Sequence, residues 1–183
     1  MAQNGRFKST LPEIKQFSVG AVIVTKEETP RVLILEKNIR LYNEEIKSLP
    51  KRRYDIGPSG KIREGESKHQ AAMRQIREET GINDLTLDPR FVGAYRYEFH
   101  AINRMDGPLK GEKVRVRKTR LFYLAVADVQ QVMGNVKLTA EHLSSKLVPL
   151  ANAVDMKILH LNQRRTLERL KGYLRDGRAQ TFT

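Results

Sequence analysis

Hydrophobic positions in the first third of the chain predict two short β-strands. Residues Phe17 to Thr25 (FSVGAVIVT) and Arg31 to Glu36 (RVLILE) are rich in β-branched and aliphatic side chains, which suit a pleated, half-buried surface. The polar segment KEETP between them has the character of a turn. We therefore expect a β-hairpin, followed by a long polar loop over residues 37–53.

A helix is predicted in the middle of the chain. No Gly or Pro occurs from Ser67 to Thr80, and Ala72 and Ile76, four residues apart, form a narrow apolar stripe. Gly81 follows at the position where helices commonly end in a left-handed residue. The pattern therefore predicts one helix that packs Ala72 and Ile76 into a core and ends at Gly81.

Three later segments again have the composition of strands. They are DLTLD at residues 84–88, Phe91 to His100, and Val114 to Asp128. The connection between the last two, residues 101–113, contains Asp-Gly-Pro and is typical of a solvent-facing loop.

The C-terminal part is mostly helical in pattern after SSKLVPL, with one or two amphipathic helices expected to pack on the sheet. Strands, one helix, more strands and a C-terminal helix predict an α+β fold with a mixed sheet, rather than a repeating βαβ chain. Two apolar faces are predicted in this part, the first formed by Val154, Ile158 and Leu161, the second by Leu167, Leu170 and Leu174.

Length and composition favour one globular domain. A chain of 183 residues with 39% hydrophobic and 30% charged residues suits a single well-buried core. We expect an N-terminal tail over residues 1–16, a domain over residues 17–175 and a C-terminal tail over residues 176–183. The chain has no cysteine, which excludes disulfides and thiolate metal sites, and it has no apolar run typical of a signal peptide or membrane span. A cytoplasmic location is therefore expected.

Net charge narrows the class of partner. The chain carries 34 Lys and Arg against 21 Asp and Glu, a formal charge of +13, with a pI near 10.1. Such a field concentrates polyanions such as polyphosphates and nucleic acids near the protein. The alternative is a basic surface that is only solvated. No Lys/Arg-rich helix with large apolar anchors is present, so a membrane-surface protein is the least favoured class.

Candidate chemistry lies in residues 60–82, GKIREGESKHQAAMRQIREETGI. The adjacent carboxylates Glu78 and Glu79, with Glu66 nearby, repel one another unless cations offset them. Arginines such as Arg74 could do so as surface ion pairs worth at most about 1 kcal/mol each. A Mg²⁺ ion is the other possibility, because it prefers carboxylate oxygens, waters and substrate phosphates. Charge pattern alone leaves both interpretations open.

The spacing of residues in this segment helps to choose between surface ion pairs and a metal site. From Gly60 the sequence runs Gly, five residues, Glu66, seven residues, Arg-Gln-Ile, one residue, Glu-Glu, one residue, Gly-Ile. This resembles the signature of the Nudix hydrolases, Gly, five residues, Glu, seven residues, Arg-Glu-hydrophobic, one residue, Glu-Glu, one residue, Gly-hydrophobic. Eight of its nine specified positions agree. We refer to residues 60–82 as the box.

The resemblance implies a fold and an activity for about Phe17 to Leu174. The fold would be a mixed β-sheet sandwiched between helices (α/β/α). The activity would be metal-dependent hydrolysis of a diphosphate linkage, with Mg²⁺ or Mn²⁺ held against the diphosphate and water directed onto phosphorus. Such metals neutralise phosphate charge and lower the pKa of bound water. Substrates of the family are usually nucleoside diphosphates linked to another moiety.

The resemblance also implies residue roles in the box. The metal site would comprise Gly60, Glu66, Glu78 and Glu79. Within it, Glu78, Glu79 and the carbonyl of Gly60 would be ligands. Glu66, with Arg74, would brace the loop and orient the carboxylates.

One position departs from the family pattern. Gln75 stands where the signature has Glu, and an amide accepts no proton at neutral pH and offsets no metal charge. Either Glu141, in LTAEHL, acts as the base while Glu78 and Glu79 hold metal, or the fold is retained without hydrolysis. In the second case the basic surface would bind RNA or a ribonucleoprotein. An exposed loop glutamate is the plain alternative for Glu141. The candidate catalytic residues are Arg74, Gln75, Glu78, Glu79 and Glu141.

Segments outside the box resemble the branch that cleaves dinucleoside polyphosphates. Tyr95 or Tyr97 in YRYEF would stack on a base, or one of them is merely core. The basic runs at residues 51–53 and 113–120 would suit a dinucleoside polyphosphate, an RNA 5′ end or a diphosphoinositol polyphosphate, although each run alone is also typical of a solvated face. The candidate substrate-binding residues are Arg52, Arg53, Lys61, Tyr97, Arg117 and Arg120.

Overall fold

The computed structural model describes residues 11–38 and 53–177. Most of the loop predicted at residues 37–53, including Arg52, lies outside these ranges. The elements are β1 (Glu13–Thr25), β2 (Arg31–Lys37), β3 (Arg53–Asp55), β4 (Ser59–Lys61), α1 (Lys68–Thr80), β5 (Thr86–Ile102), β6 (Lys113–Ala127), α2 (Val129–Asn135), β7 (His142–Pro149), α3 (Leu150–Val154) and α4 (Leu161–Arg175).

The strands form one mixed sheet, in which β1 is central. It pairs in parallel with β6 along its whole length, from Glu13 opposite Arg115 to Thr25 opposite Ala127. β6 pairs antiparallel with β5, and the short β4 pairs antiparallel with β1. β2 pairs antiparallel with β7 and β3. The predicted α+β mixed sheet is confirmed.

The predicted hairpin is correct in direction but not in extent. β1 and β2 are antiparallel, yet their only Cα register pair among the described residues is Val24 opposite Val32. The strands diverge because each has a longer partner elsewhere, β6 for β1 and β7 for β2. Such long-range pairing follows no local sequence signal.

Alternation along the strands divides the core into two layers. Val19, Ala21 and Ile23 of β1 face α1, whereas Val22 and Val24 face α3 and α4. All five side chains are almost fully buried. Helices therefore cover both faces of the sheet, as the α/β/α prediction required.

Helix α1 forms as the sequence predicts. Ser67 is its N-cap and makes a capping box with Gln70. Gly81 ends it in the left-handed region at φ 73°, with its N–H donating to the Arg77 carbonyl. The predicted stripe is confirmed, because Ala72 and Ile76 are fully buried.

The C-terminal helices differ from the prediction at their start. Ile158 and Leu161 were expected to share a buried face with Val154, but they are 49% and 47% exposed. That prediction is wrong because α3 ends at Val154 and α4 begins only at Leu161, so no continuous helix aligns these residues. The second face is confirmed, since Leu167 and Leu170 are fully buried and Leu174 packs against the same layer.

Three further boundaries were not predicted. β1 begins at Glu13, four residues earlier than expected, and α2 was not anticipated. The two segments around Pro89 form one strand, β5, because a register shift between Asp88 and Val92 accommodates the interruption. Within the described segments, no helix is long and apolar enough to cross a membrane.

Candidate active site

The box begins where β4 meets α1. Gly60, in β4, pairs with Val19 of β1, and the side chain of Gln75 on α1 packs directly against it. A Cβ atom on Gly60 would overlap the Gln75 amide group. A side chain at residue 60 would therefore displace the Gln75 amide from its place beside the strand.

Arg74 ties the box loop to the helix. Its Nε and Nη2 donate to the two oxygens of Glu66 at 2.7 and 2.8 Å, and Nη2 also donates to the Lys61 carbonyl at 2.9 Å. These hydrogen bonds raise the pKa of Arg74 above its usual range and, with the Arg63 backbone N–H, lower the pKa of Glu66 to about 2. Both side chains are mostly buried, which suits bracing of the loop.

Glu78 is held by two arginines at the solvent edge. Arg74 Nη1 donates to Glu78 Oε2 and Arg63 Nη2 donates to Glu78 Oε1, both at 2.9 Å. The Glu78 side chain is 44% exposed. In this arrangement each carboxylate oxygen already accepts a guanidinium hydrogen bond.

Glu79 lies on the inner side of the helix, beside the chain at Gly60. Its Oε1 accepts a hydrogen bond from the Ser59 backbone N–H at 3.1 Å. The surroundings assign the Gln75 amide the orientation in which Nε2 donates to Glu79 Oε1 at 2.8 Å and Oε1 accepts from Arg74 Nη1 at 2.6 Å. Gln75 therefore bridges the buried carboxylate and the arginine.

The surroundings of Glu79 disfavour its ionised form. Burial, together with the negative charges of Glu141 and Asp55, raises the pKa of Glu79 to about 8, against the opposing effect of Lys37. Of Glu66, Glu78 and Glu79, it is the one with no guanidinium among its described partners. A cation brought to this carboxylate would therefore be stabilised.

His142 borders the same carboxylate. Its Nε2 lies 3.6 Å from Glu79 Oε2, and neither buried ring nitrogen has a hydrogen-bond partner among the described residues. Burial lowers the pKa of His142, which keeps the ring neutral near pH 7. The contact is therefore not an ion pair at that pH.

Arg120 lies in a buried polar cluster rather than on the surface. Its Nη1 and Nη2 donate to the two oxygens of Asp55 at 3.0 and 3.2 Å, and it also donates to Ser59 Oγ and Tyr95 OH. Lys37 Nζ lies 2.9 Å from the second Asp55 oxygen. Burial would raise the pKa of Asp55, but Arg120 and Lys37 together hold it well below its usual range.

Lys118 adds a cation with no described partner. It lies two residues before Arg120 on the same face of β6, opposite Tyr97 of β5. Burial and the neighbouring charges of Arg120, Lys37 and Lys61 lower the pKa of Lys118 to about 8. In the described part of the chain its ammonium has no hydrogen-bond or ion-pair partner. We call Lys37, Lys61, Lys118 and Arg120 the basic cleft.

The two candidate tyrosines have different surroundings. Tyr95 stacks on Phe122 with ring centroids 5.9 Å apart and packs against the buried layer under α4. Burial raises the pKa of Tyr95 to about 12. Tyr97 lies further out, between Tyr95 and the 40% exposed Phe99, with centroid distances of 6.0 and 5.8 Å. Tyr97 is therefore nearer the rim.

Other predicted residues lie apart from this group or at its edge. Arg117 points from the opposite face of β6 and pairs with Glu98 at 2.8 Å and Glu13 at 3.2 Å. Arg53 is exposed at the start of β3. Glu141 is exposed immediately before His142, and its charge acts on the pKa of Glu79.

Sequence reasoning missed several residues of the site. Lys118 had a usable signal: with a period of two, residues 118 and 120 share a face of β6 and residue 117 does not. No comparable local signal marks the others, since β2, β3, β4 and β7 meet only in the folded sheet. The missed residues are Lys37, Asp55, Ser59, Lys118 and His142.

A family model decides the classification. The model of the NUDIX domain matches residues 15–170. The chain belongs to the Nudix family. The predicted resemblance is therefore confirmed, as is the enzyme class, a Nudix hydrolase acting on phosphorus anhydrides. A comparison with curated protein sequences gave no significant match.

Solved structures share this Nudix fold. A Caenorhabditis elegans Ap4A hydrolase in a binary complex is similar at TM-score 0.63 and 21% identity, covering 88% of this chain and 98% of its own. An Escherichia coli dihydroneopterin triphosphate pyrophosphohydrolase gives 0.55 and 22%, with 84% and 92% coverage. A mutT/nudix family protein from Listeria innocua gives 0.58 and 20%, with 91% and 98% coverage. At these identities the likeness establishes the fold.

Nudix hydrolases generally use divalent metals such as Mg²⁺, and the donors here fit one only in part. Within residues 11–38 and 53–177, no three histidine, aspartate or glutamate side chains converge on a metal position. Glu66 and Glu78 are engaged by arginines. Glu79 accepts only from the Ser59 N–H and the Gln75 amide among its described partners, and its carboxylate oxygens suit a hard cation.

Proposed function

We propose that this Nudix domain is a metal-dependent pyrophosphohydrolase that cleaves a diphosphate linkage in a nucleoside polyphosphate derivative. The observation that carries the proposal is a buried carboxylate close to a group of cations. The carboxylate is Glu79, whose ionised form is disfavoured by burial and by neighbouring carboxylates. Lys37 of the basic cleft acts on the pKa of Glu79 and on that of Lys118, so the cations lie near this carboxylate. A polyphosphate with a bound metal ion would supply a cation to Glu79 and negative charge to the basic cleft.

The number of cations favours a substrate with several phosphates, such as a dinucleoside polyphosphate. The unpartnered Lys118 and its neighbour Lys61 supply charges that phosphate oxygens would neutralise. Two structural neighbours are described as acting on polyphosphates, an Ap4A hydrolase and a dihydroneopterin triphosphate pyrophosphohydrolase, which supports this substrate class. Tyr97 would stack on the base, and the exposed Arg53 would add positive charge; a substrate-binding role for Arg52, outside the described residues, stays a prediction from the sequence.

We assign the metal, Mg²⁺ or Mn²⁺, to Glu79, the Gly60 carbonyl and Glu141, with Glu78 available if its arginines release it. When bound, the metal neutralises the diphosphate and makes an attacking water more acidic. Gln75 orients Glu79 through its amide N–H and accepts no proton. Glu141, exposed at the rim, is the candidate base.

The buried arginine has a positioning role in this proposal. Arg120 is 6% exposed and already paired with Asp55. It therefore positions Asp55 and does not contact phosphate directly. Glu66 and Arg74 act likewise on the box loop. Arg117, on the other face of the sheet, has no part in the cleft.

The test is turnover by the wild type and Glu79→Gln with Mg²⁺ or Mn²⁺. The panel contains diadenosine tetraphosphate, nucleoside triphosphates, ADP-ribose and 5′-triphosphorylated RNA. We expect Glu79→Gln to lower kcat at least about 100-fold while remaining folded, since an amide resembles the protonated carboxyl. Glu64→Gln, at an unspecified and exposed box position, is the matched control. The proposal fails if no substrate turns over or if Glu79→Gln leaves kcat unchanged.

A second candidate is an RNA- or ribonucleoprotein-binding Nudix domain with weak or no hydrolysis. Two observations favour it: an amide stands at residue 75, and both oxygens of Glu78 are held by arginines. Tight, steeply salt-dependent RNA binding without turnover would support this candidate. A cytoplasmic location remains a prediction for either function.

A further inference from the structure

A groove lies on the α1 side of the sheet, beyond the N-terminus of α1. The strand register places Lys15 of β1 opposite Arg117 of β6 and Phe17 opposite Thr119, while Arg96 of β5 is opposite Thr119 on its other side. The groove has a volume of about 360 Å³. Its lining residues are Lys15, Gln16, Phe17, Arg96, Arg117 and Thr119.

The groove carries more positive charge than its own carboxylates neutralise. Arg117 is shared between Glu98 and Glu13. Lys15 and Arg96 are exposed, and neither side chain has a hydrogen-bond or ion-pair partner in the segments that the structure describes. The groove therefore offers two uncommitted cations on neighbouring parts of one sheet face.

An aromatic ring lies on the same sheet face as these cations, two residues from Lys15 along β1. Phe17 is 37% exposed, although Val19 and Ala21, which follow it on the same face of β1, are fully buried. The Nζ atom of Lys68 lies 5.7 Å from the centroid of the Phe17 ring. An exposed aromatic ring among unpaired Lys and Arg side chains combines the two features that bind single strands, stacking of bases and neutralisation of phosphates.

We propose that this groove binds single-stranded nucleic acid, with Phe17 stacking on a base and Lys15 and Arg96 contacting phosphates. The net charge of +13 favours a polyanion over other partners, and the exposed ring favours one that carries bases. The groove shares no lining residue with the proposed active site, and Lys118 and Arg120 project from the opposite face of β6. The proposal requires neither metal nor hydrolysis.

Charge is tested with a labelled 12-nucleotide oligouridylate, followed by fluorescence anisotropy in EDTA at several salt concentrations. Each phosphate contact on a single strand contributes about 0.7 to the slope of log K against log salt. The double variant Lys15→Gln/Arg96→Gln should therefore reduce the slope by about 1.4 and weaken binding several-fold. The control is Lys157→Gln/Lys171→Gln, which removes the same charge from exposed positions elsewhere.

Stacking is tested with Phe17→Ala in the same assay. Loss of one stacked base should weaken oligouridylate binding roughly fivefold or more and leave binding of inorganic tripolyphosphate unchanged. Oligothymidylate of the same length tells whether the groove distinguishes RNA from DNA, and binding of either strand supports the proposal. Melting temperatures of the variants confirm that they are folded.

Several outcomes would overturn the proposal. They are no oligonucleotide binding at about 0.15 M salt, equal losses in the groove and control variants, no effect of Phe17→Ala, or tripolyphosphate competing as strongly as the oligonucleotide. Loss of binding in Glu79→Gln would place the strand at the active site instead. Diadenosine tetraphosphate turnover by the groove variants reports separately on the proposed hydrolysis and should equal that of the wild type.

Discussion

At the scale of single residues, Gln75 connects the two halves of the box. It donates to Glu79, which is buried and has a raised pKa, and it accepts from Arg74, which braces the loop. A glutamate at this position could accept from Arg74 but could not donate to an ionised Glu79. The amide therefore suits a site in which one buried carboxylate, rather than two, faces Gly60.

Replacing Gln75 by glutamate should make the free energy of unfolding depend on divalent metal. We expect Gln75→Glu without metal to lose about 1–3 kcal/mol of unfolding free energy, because a buried acceptor loses its donor and gains a like charge. Added Mg²⁺ should restore part of that loss. Thermal melting in EDTA and in Mg²⁺ measures both effects. Gln70→Glu adds the same charge on the exposed side of α1 and should show neither; equal behaviour of the two variants would contradict the prediction.

Lys118, like Glu79, changes its charge just above neutral pH. Its pKa is lowered to about 8 by burial and surrounding cations, so it is protonated at pH 7 and mostly neutral at pH 9. If it binds phosphate, KM for a polyphosphate substrate should rise over this interval. The ammonium is charged only below its pKa, which fixes the sign of the change.

Two variants test this role of Lys118. Lys118→Gln should raise KM about tenfold at pH 7 by removing a charge-assisted contact, with a smaller change in kcat. Lys118→Arg keeps its charge at pH 9 and should remove the rise of KM between pH 7 and 9. Steady-state kinetics at the two pH values decides; a wild-type KM independent of pH, with an unchanged KM in Lys118→Gln, would exclude the role.

At the scale of elements, α4 is anchored to the sheet at both ends. Near its start, Gln163 Nε2 donates to Asp55 at 2.8 Å and to the Tyr54 carbonyl at 3.0 Å, which connects the helix to the buried cluster behind the basic cleft. Near its end, the Tyr173 hydroxyl donates to Asp88 at 2.6 Å. α4 thus supports the cleft through Asp55 and secures β5 at its register shift.

The contact between α4 and β5 should give a pH-dependent contribution to stability. Burial opposes ionisation of Asp88, but hydrogen bonds from Arg90 and Tyr173 hold its pKa below the usual value. A carboxyl with a lowered folded-state pKa stabilises the fold above its unfolded-state pKa, and this contribution disappears as the pH falls through the folded-state pKa.

Tyr173→Phe tests that contribution. Loss of a hydrogen bond to a charged group should lower the free energy of unfolding by about 1.5–3 kcal/mol at pH 7, and the difference should narrow below about pH 4. Urea denaturation at pH 7 and pH 3 measures it. Tyr123→Phe is the control, since the Tyr123 hydroxyl has no hydrogen-bond partner in the described segments. A difference that is the same at both pH values would contradict the assignment to Asp88.

Elements differ in how far local sequence predicts them. Helix α1 is specified by its own residues, from the Ser67 cap to Gly81, and it forms where predicted. The face containing Ile158 and Leu161 was wrong because periodicity alone cannot locate the break between α3 and α4. β5 continues past Pro89 because its pairing with β6 tolerates a register shift.

At the scale of the whole molecule, positive charge is arranged on both faces of one sheet. Lys118 and Arg120 of the basic cleft lie on the α4 side of β6, and the groove containing Lys15 and Arg96 lies on the α1 side. A net charge of +13 draws polyanions to both. The basic cleft is close to the carboxylate of Glu79, which suits a metal ion, whereas the groove has an exposed aromatic ring.

Salt should therefore affect binding of the proposed substrate more than its chemistry. We expect KM for diadenosine tetraphosphate to rise about tenfold between 0.05 and 0.3 M KCl, because screening weakens attraction between the cleft and four phosphates. The kcat value should change less than twofold. ADP-ribose, with two phosphates, should show a smaller rise in KM if it is a substrate. Equal salt dependence for both, or a kcat that falls with KM constant, would contradict this arrangement of charge.

Sequence by itself determined the box, because spacing along one loop and one helix fixes which residues meet there. Gly60 against Gln75 and Arg74 with Glu66 are consequences of that spacing. Only the tertiary structure decided which titratable side chains from other strands lie near the box. Lys37, Asp55 and His142 come from β2, β3 and β7, which are brought to the box by pairing between distant strands. Within β6, strand alternation separates Lys118 and Arg120 from Arg117, but the contacts of Arg120 with Asp55 and Ser59 exist only because distant strands pair.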